Sequence, residues 1–119
     1  MLVRRTEESK MPQWAAIDAM VKARSAYDRN RSFFNSQPHR ATVSAVTELM
    51  RGYFGSYRTI ITTCRPKTSR RPLNTEVKFL GITRGKDFAA FLRGLDGLGI
   101  DENLIIYKPA TESFSVHVS

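Results

Sequence analysis

The stretch from Thr75 to Ser119 constrains the fold most, because its apolar residues change period along the chain. Residues 75–82 (TEVKFLGI) carry β-branched and aromatic residues at period two, which predicts a strand. Beyond this strand the apolar residues recur at helical spacing, at Phe88, Phe91, Leu92 and Leu95. Gly97 and Gly99 favour the end of that helix.

Two short strands complete this stretch. Residues 104–108 (LIIYK) and 113–118 (SFSVHV) are joined by a short turn at Pro109–Glu112, which predicts a hairpin. One alternating set of side chains in the last strand is apolar: Phe114, Val116 and Val118. The set between them is polar: Ser113, Ser115 and His117. The alternation predicts a sheet with one face under helices and the other in water.

The overall composition is typical of one ordinary folded domain. The chain has 119 residues, of which 41% are hydrophobic and 25% charged. Its single cysteine, Cys64, excludes an internal disulfide framework and favours a reducing compartment, which we predict to be the cytoplasm. No apolar run approaches the ~20 residues of a membrane span, so we expect no membrane partner.

The positive charge is concentrated in the first part of the chain. Residues 1–71 hold fourteen basic and five acidic residues, a balance of +9, whereas residues 72–119 hold five and six, a balance of −1. A basic segment of this kind indicates an acidic partner, with nucleic acid ahead of an acidic protein surface.

The first 30 residues predict a tail and one helix. Residues 1–10 are charged and predicted to be mobile, and Pro12 suits the first turn of a helix. The apolar side of this helix comprises Trp14, Ile17, Met20 and Val21. We expect this side to cover the core. A helix reserved for a partner is the alternative, and the short stripe also permits a homodimer.

Residues 30–40 (NRSFFNSQPHR) predict a loop that contains a buried Phe33–Phe34 pair. Pro38 disfavours helix immediately before it. We expect His39 to be exposed rather than catalytic, because no partner lies near it in the sequence.

Residues 41–119 predict two successive helix–strand–strand units. In the first, Thr42 caps a helix, and residues 57–64 (YRTIITTC) form a strand that pairs with the strand at 75–82. Leu-Met-Arg-Gly at 49–52 is echoed by Phe-Leu-Arg-Gly at 91–94. The echo favours an internal duplication, with chance similarity as the alternative.

The predicted fold is α+β, with an antiparallel sheet of about four strands and helices on one face. The predicted order of elements is α-αββ-αββ. The chain then consists of the tail (1–10) and a single α+β domain (11–119), in which residues 11–40 precede an αββαββ core at 41–119.

This order, with residues 49–54 (LMRGYF) at a helix end, resembles the core of the LAGLIDADG homing endonucleases. The resemblance covers roughly residues 41–119 and implies a DNA-binding fold. That family places an acidic residue just after this motif to bind the catalytic metal, whereas Gly55 and Ser56 follow here. In the second unit Asp96 is one residue out of register and alone. The resemblance therefore implies DNA binding without the metal site.

No residue pattern specifies an enzyme. Two histidines and one cysteine lack metal-ligand spacing. Cys64 with His39 or His117 has the residue types of a nucleophile pair, but a small buried hydrophobe is the commoner role of a strand cysteine. No glycine-rich phosphate loop is present. We therefore predict no catalytic residues, no metal and no cofactor.

Residues 65–72 (RPKTSRRP) carry the strongest binding signal. Four cations share this loop between two strands: Arg65, Lys67, Arg70 and Arg71. Arginine forks bind phosphate oxygens in pairs, and Tyr57, Arg58 and Lys78 on the adjoining strands extend the patch across the sheet.

We therefore predict a non-catalytic nucleic-acid-binding protein that contacts phosphates through this basic hairpin loop and an exposed sheet face. One alternative is a small interaction or inhibitor protein that docks on an acidic protein surface. The other is a solvated loop whose charge serves solubility.

Overall fold

The computed structural model describes the backbone of residues 2–54, 60–81, 85–108 and 113–119, with side chains for those residues except 2–13, 85–86 and 102. The elements are, in order, α1 (Leu2–Arg29), α2 (Arg31–Phe34), α3 (Gln37–Phe54), β1 (Ile60–Arg65), β2 (Asn74–Leu80), α4 (Gly85–Gly97), a 3-10 turn (Glu102–Leu104), β3 (Ile105–Lys108) and β4 (Ser113–Val118). This order confirms the predicted α+β arrangement and adds the short helix α2.

The four strands form one antiparallel sheet in the order β1-β2-β4-β3. The second strand of each hairpin is central, and the two meet with Val77 opposite Val116. Residues that lie opposite each other share a face of the sheet. Ile60 and Phe79 therefore lie on the same face as Phe114. The predicted four-stranded antiparallel sheet is confirmed.

The core lies between this face of the sheet and helices α3 and α4. Each helix contributes two fully buried residues at i, i+4 spacing, which places both on the same side of the helix: Val46 and Met50 from α3, Phe91 and Leu95 from α4. Aromatic rings fill the centre. The Phe114 ring lies 5.2–5.5 Å, between centroids, from four others: Phe54, Phe79, Phe88 and Phe91.

Helix α3 begins at Gln37, before the cap predicted at Thr42. Pro38 lies in the first turn, where the missing amide proton leaves no hydrogen bond unmade. The Ser36 carbonyl accepts an amide of this turn at 3.0 Å, and Thr42 donates its hydroxyl to the Pro38 carbonyl at 3.0 Å. The loop predicted at residues 30–40 is therefore largely helical, formed by α2 and the start of α3.

The apolar stripe of α1 does not cover the core. Its side chains are 51–71% exposed: Trp14, Ile17, Met20 and Val21. Helix α1 instead packs against the edge strand β1, and among its described side chains, those of residues 14–29, Ala26 is buried. The expectation that the stripe covers the core is wrong, because all four of its side chains are more than half exposed. The mobility of residues 1–10 stays a prediction.

The sheet face opposite the core is covered at its centre. Ser113, Ser115 and His117 point away from the core, as the alternation predicts, yet each is at most 6% exposed. They are short or flat side chains on a central strand, and the longer Arg65 and Glu76 lie on the same face. The prediction that these polar residues are in water is therefore wrong.

Helices α3 and α4 approach closely at Gly94. A methyl group added there would lie 2.7 Å from a Cδ of Leu49. Gly52, the counterpart of Gly94 in the sequence echo, would meet nothing within 4 Å. Because the two glycines have unlike surroundings, the internal duplication stays a prediction. None of the described helices is both long and apolar enough to cross a membrane.

Candidate nucleic-acid interface

The loop between β1 and β2 is folded around the Thr68 side chain. The Thr68 hydroxyl accepts the backbone amides of Arg70 and Arg71 at 3.3 and 3.1 Å, and the Thr68 amide donates to the Arg71 carbonyl at 2.8 Å. Pro66 and Pro72 flank this turn and fix their own φ angles. The loop therefore holds two consecutive arginines in a defined turn.

Three predicted phosphate-binding residues lie on this loop. Lys67 and Arg70 are exposed, and Arg71 is half-buried. Among the residues that the structure describes, none of the three has a carboxylate within 4 Å. Their charge is therefore not neutralised by these residues.

Two further predicted residues lie on the strands. Arg65 and Lys78 share the sheet face opposite the core, so the structure brings them to the same surface. Arg65 Nη2 donates to Glu76 Oε1 at 3.0 Å, which balances part of its charge. Arg58 and its neighbour Tyr57 lie outside the described residues, so their place in the patch stays a prediction.

A buried polar cluster lies on this same face at the base of the loop. Asn74 Nδ2 donates to the Pro72 carbonyl at 2.8 Å, which leaves its Oδ1 to accept from His117 Nδ1 at 2.8 Å. His117 therefore carries its proton on Nδ1. Its Nε2 has no hydrogen-bond partner among the described residues and lies 3.6 Å from Glu76 Oε2. Sequence reasoning missed this cluster because its members come from two strands that are distant in sequence.

At neutral pH, Glu76 of this cluster is ionised and His117 is neutral. Burial lowers the pKa of His117, and the positive charge of Arg71 lowers this pKa further, against the opposing effect of Glu76. Burial alone would raise the pKa of Glu76, but the hydrogen bond and the charge of Arg65 outweigh it and hold this pKa below its usual value. The result is a carboxylate beside a neutral imidazole.

A cavity of about 360 Å³ lies between α1 and the loop. Its cationic lining is Lys22, Arg65, Arg70 and Arg71. His117 and Asn74 line it from the sheet, and Ala19 and Ala23 line it from α1. The sequence does not show that Lys22 lies beside the loop, because no local pattern indicates that α1 packs against β1.

His39 is buried, not exposed as predicted. Its Nε2 lies 2.7 Å from Thr75 Oγ1, and Thr75 is opposite the half-buried Cys64 in the sheet. The three residues line a second cavity of about 270 Å³. Burial lowers the pKa of His39 and raises the pKa of the Cys64 thiol, so the thiol stays protonated at neutral pH and is a poor nucleophile.

Within the described ranges, no group of three or more His, Cys, Asp or Glu side chains is placed to hold a metal ion. The chain matches no protein-family profile, no curated protein and no solved structure. The resemblance to LAGLIDADG homing endonucleases therefore depends on residues 49–54 and on the order of elements.

Proposed function

We propose that this protein binds nucleic acid without catalysing a reaction on it, chiefly through phosphate contacts. The observation that supports this proposal is the folded loop, which presents Lys67, Arg70 and Arg71 with no carboxylate near them among the described residues. A guanidinium fork binds two phosphate oxygens at once. The Thr68 turn holds the two arginines before binding, which reduces the entropy lost on association.

Cations on the sheet extend this surface beyond the loop. Arg65 and Lys78 lie on the face opposite the core, and we propose that Arg58 joins them. Phosphate contacts position a protein without reading bases, so affinity should vary little with sequence. DNA binding by a LAGLIDADG-like fold that lacks the acidic metal ligand is one form of this proposal.

An acidic protein surface is the second candidate partner, and the exposed stripe of α1 favours it. Four apolar side chains lie in water on this helix: Trp14, Ile17, Met20 and Val21. A phosphate backbone offers such a stripe little to bind, whereas the centres of protein interfaces are apolar and rich in aromatic residues. On this proposal the protein is a small interaction or inhibitor protein. A homodimer through the stripe also stays a prediction.

The test is a salt titration of binding to a short duplex by the Lys67→Ala/Arg70→Ala/Arg71→Ala variant. Loss of three phosphate contacts should reduce the log–log salt slope by about 2.7 and lower the affinity. Arg65 is kept in this variant, because its removal would leave the Glu76 carboxylate, whose side chain is 12% exposed, without its cation.

A matched control removes the same charge elsewhere. Arg40→Ala/Arg51→Ala/Arg93→Ala replaces three exposed arginines outside the loop, so this variant should keep most of the wild-type slope. If the loop variant and the control lose equal affinity, only net charge matters and the loop is not the interface. A protein that binds no nucleic acid at low salt, but retains a protein partner after nuclease treatment, supports the second candidate.

A further inference from the structure

We propose that the cavity between α1 and the β1–β2 loop binds the phosphate monoester of a nucleotide. The source is a free nucleotide or the phosphorylated end of a strand, and the strand-end form rests on the proposed function. Nucleic-acid binding along a backbone needs only an exposed basic surface. A cavity lined by several cations can, in addition, enclose a single phosphate group.

The charge around the cavity fits a dianion. Four cations line it, and two of these are paired: Lys22 Nζ with Asp18 Oδ2 at 2.9 Å, and Arg65 with Glu76 at 3.0 Å. The two consecutive loop arginines have no such partner among the described residues, which leaves two positive charges. A phosphate monoester carries roughly −1.5 to −2 at pH 7 and three terminal oxygens, whereas an internal phosphate of a strand carries a single charge.

The size and the walls of the cavity fit an organic group attached to that phosphate. Its volume of about 360 Å³ lies within the roughly 300–1,000 Å³ typical of small-molecule sites, so it has more space than a bare phosphate fills. Ala19 and Ala23 of α1 and Pro66 of the loop supply apolar surface. Such surface suits the face of a sugar or a base, while the arginines hold the phosphate.

The NMR signals of the His117 ring can report binding in the cavity. It lines the cavity, its side chain is only 8% exposed, and its Nε2 has no hydrogen-bond partner among the described residues. An anion held by Arg70 and Arg71 would change the electric field at this imidazole. His39 lines the other cavity, so it serves as an internal reference within the same chain.

The test follows the ring signals of both histidines by NMR while adenosine 5′-monophosphate or adenosine is added to the full chain. We expect the monophosphate to shift the His117 signals and leave those of His39 in place. Adenosine should bind roughly tenfold or more weakly, because it cannot make charge-assisted hydrogen bonds to the arginines. Equal binding of the two compounds, or no His117 shift with the monophosphate, would overturn the proposal.

Two variants localise the site. Arg70→Ala/Arg71→Ala should weaken binding of the monophosphate by roughly tenfold or more. Arg51→Ala/Arg93→Ala, which removes the same charge outside both cavities, should keep the wild-type affinity. A loop variant that binds like wild type contradicts the site. Unchanged His39 signals verify that each variant is folded, and for a variant that does not fold the comparison of the two compounds in the wild-type protein decides.

Oligonucleotides separate the two sources of the phosphate. If a single strand with a 5′-phosphate binds more tightly than the same strand with a 5′-hydroxyl, the site takes a strand end. If the two strands bind equally while the monophosphate shifts His117, the site takes a free nucleotide. If neither strand binds while the monophosphate does, the proposed function fails and this site stands. If both strands bind equally and the monophosphate does not shift the His117 signals, the proposed function stands and this site is ruled out.

Discussion

Both histidines of this protein are buried, and each lies beside a polar residue that is distant in sequence. His39 Nε2 lies beside Thr75 Oγ1, 36 positions away, and His117 lies beside Asn74, 43 positions away. Burial is the first cause of the lowered pKa of each. The stability of the fold is therefore linked to the protonation of two imidazoles.

Acid should destabilise the protein in two stages. Both histidines have folded pKa values below 6.5, so below that pH the unfolded chain binds more protons and the free energy of unfolding falls as the pH drops. Glu76, whose folded pKa lies below 4.5, adds a second loss as the pH falls further. His39→Gln should remove up to about 1.4 kcal/mol per pH unit from the first stage, measured by urea unfolding at several pH values between neutral and pH 4.5.

The matched variant for this measurement is His117→Gln. Each single variant should retain part of the pH slope, and the double variant should have a shallower slope than either single variant. If His39→Gln retains the complete wild-type slope, the pKa of His39 is the same in the folded and unfolded states, and the prediction is wrong.

At the scale of the element, helix α4 presents Phe91 and Leu95 to the sheet, while Leu92 is half-buried. Helical spacing alone also placed Leu92 towards the sheet, because three apolar residues in five positions span a wide arc. Leu95→Ala should cost roughly 2–5 kcal/mol of unfolding free energy, since it empties a fully buried site. Leu92→Ala should cost clearly less. If the two variants shift the denaturant midpoint equally, Leu92 is as buried as Leu95, and the assigned buried side of α4 is wrong.

Replacements in the exposed stripe of α1 should, unlike Leu95→Ala, have little effect on the free energy of unfolding. Trp14→Gln/Ile17→Gln should change the free energy of unfolding by no more than roughly 0.5 kcal/mol per site, because both side chains are in water. Ala26→Leu should cost roughly 1–3 kcal/mol, because it forces a larger side chain into a buried position. Thermal unfolding compares the two variants. A larger loss in the Trp14/Ile17 variant would show that the stripe packs on the chain itself.

Local sequence patterns predicted the elements better than their contacts. Strand β4 was predicted with its observed bounds, 113–118, because strict alternation and flanking turn residues define it. Helix α3 was predicted too short, because Pro38 indicates a break as readily as a first turn. The burial of His39 could not be predicted from its neighbours, since Thr75 is brought to it by the packing of α3 on the sheet.

At the scale of the whole molecule, charge and core are on different parts of the fold. The core occupies the sheet face under α3 and α4, whereas the loop at residues 66–73 and its cavity lie next to α1. The sequence predicted the basic loop with its three cations and two further cations on the adjoining strands, because charge is visible in composition. It did not predict the cavity, since Lys22 and Ala19 reach the loop only through tertiary packing.

The central position of β2 and β4 has a consequence for the order of folding. The β1–β2 hairpin closes a loop of only eight residues between Arg65 and Asn74, whereas the pairing of Val77 with Val116 joins positions 39 apart (116 − 77). Closing the longer loop costs more chain entropy before any contact rewards it. We therefore expect the two hairpins to form early and the seam between them to form late. Replacements in the edge strands β1 and β3, which pair only within their own hairpins, should then act mainly on the folding rate.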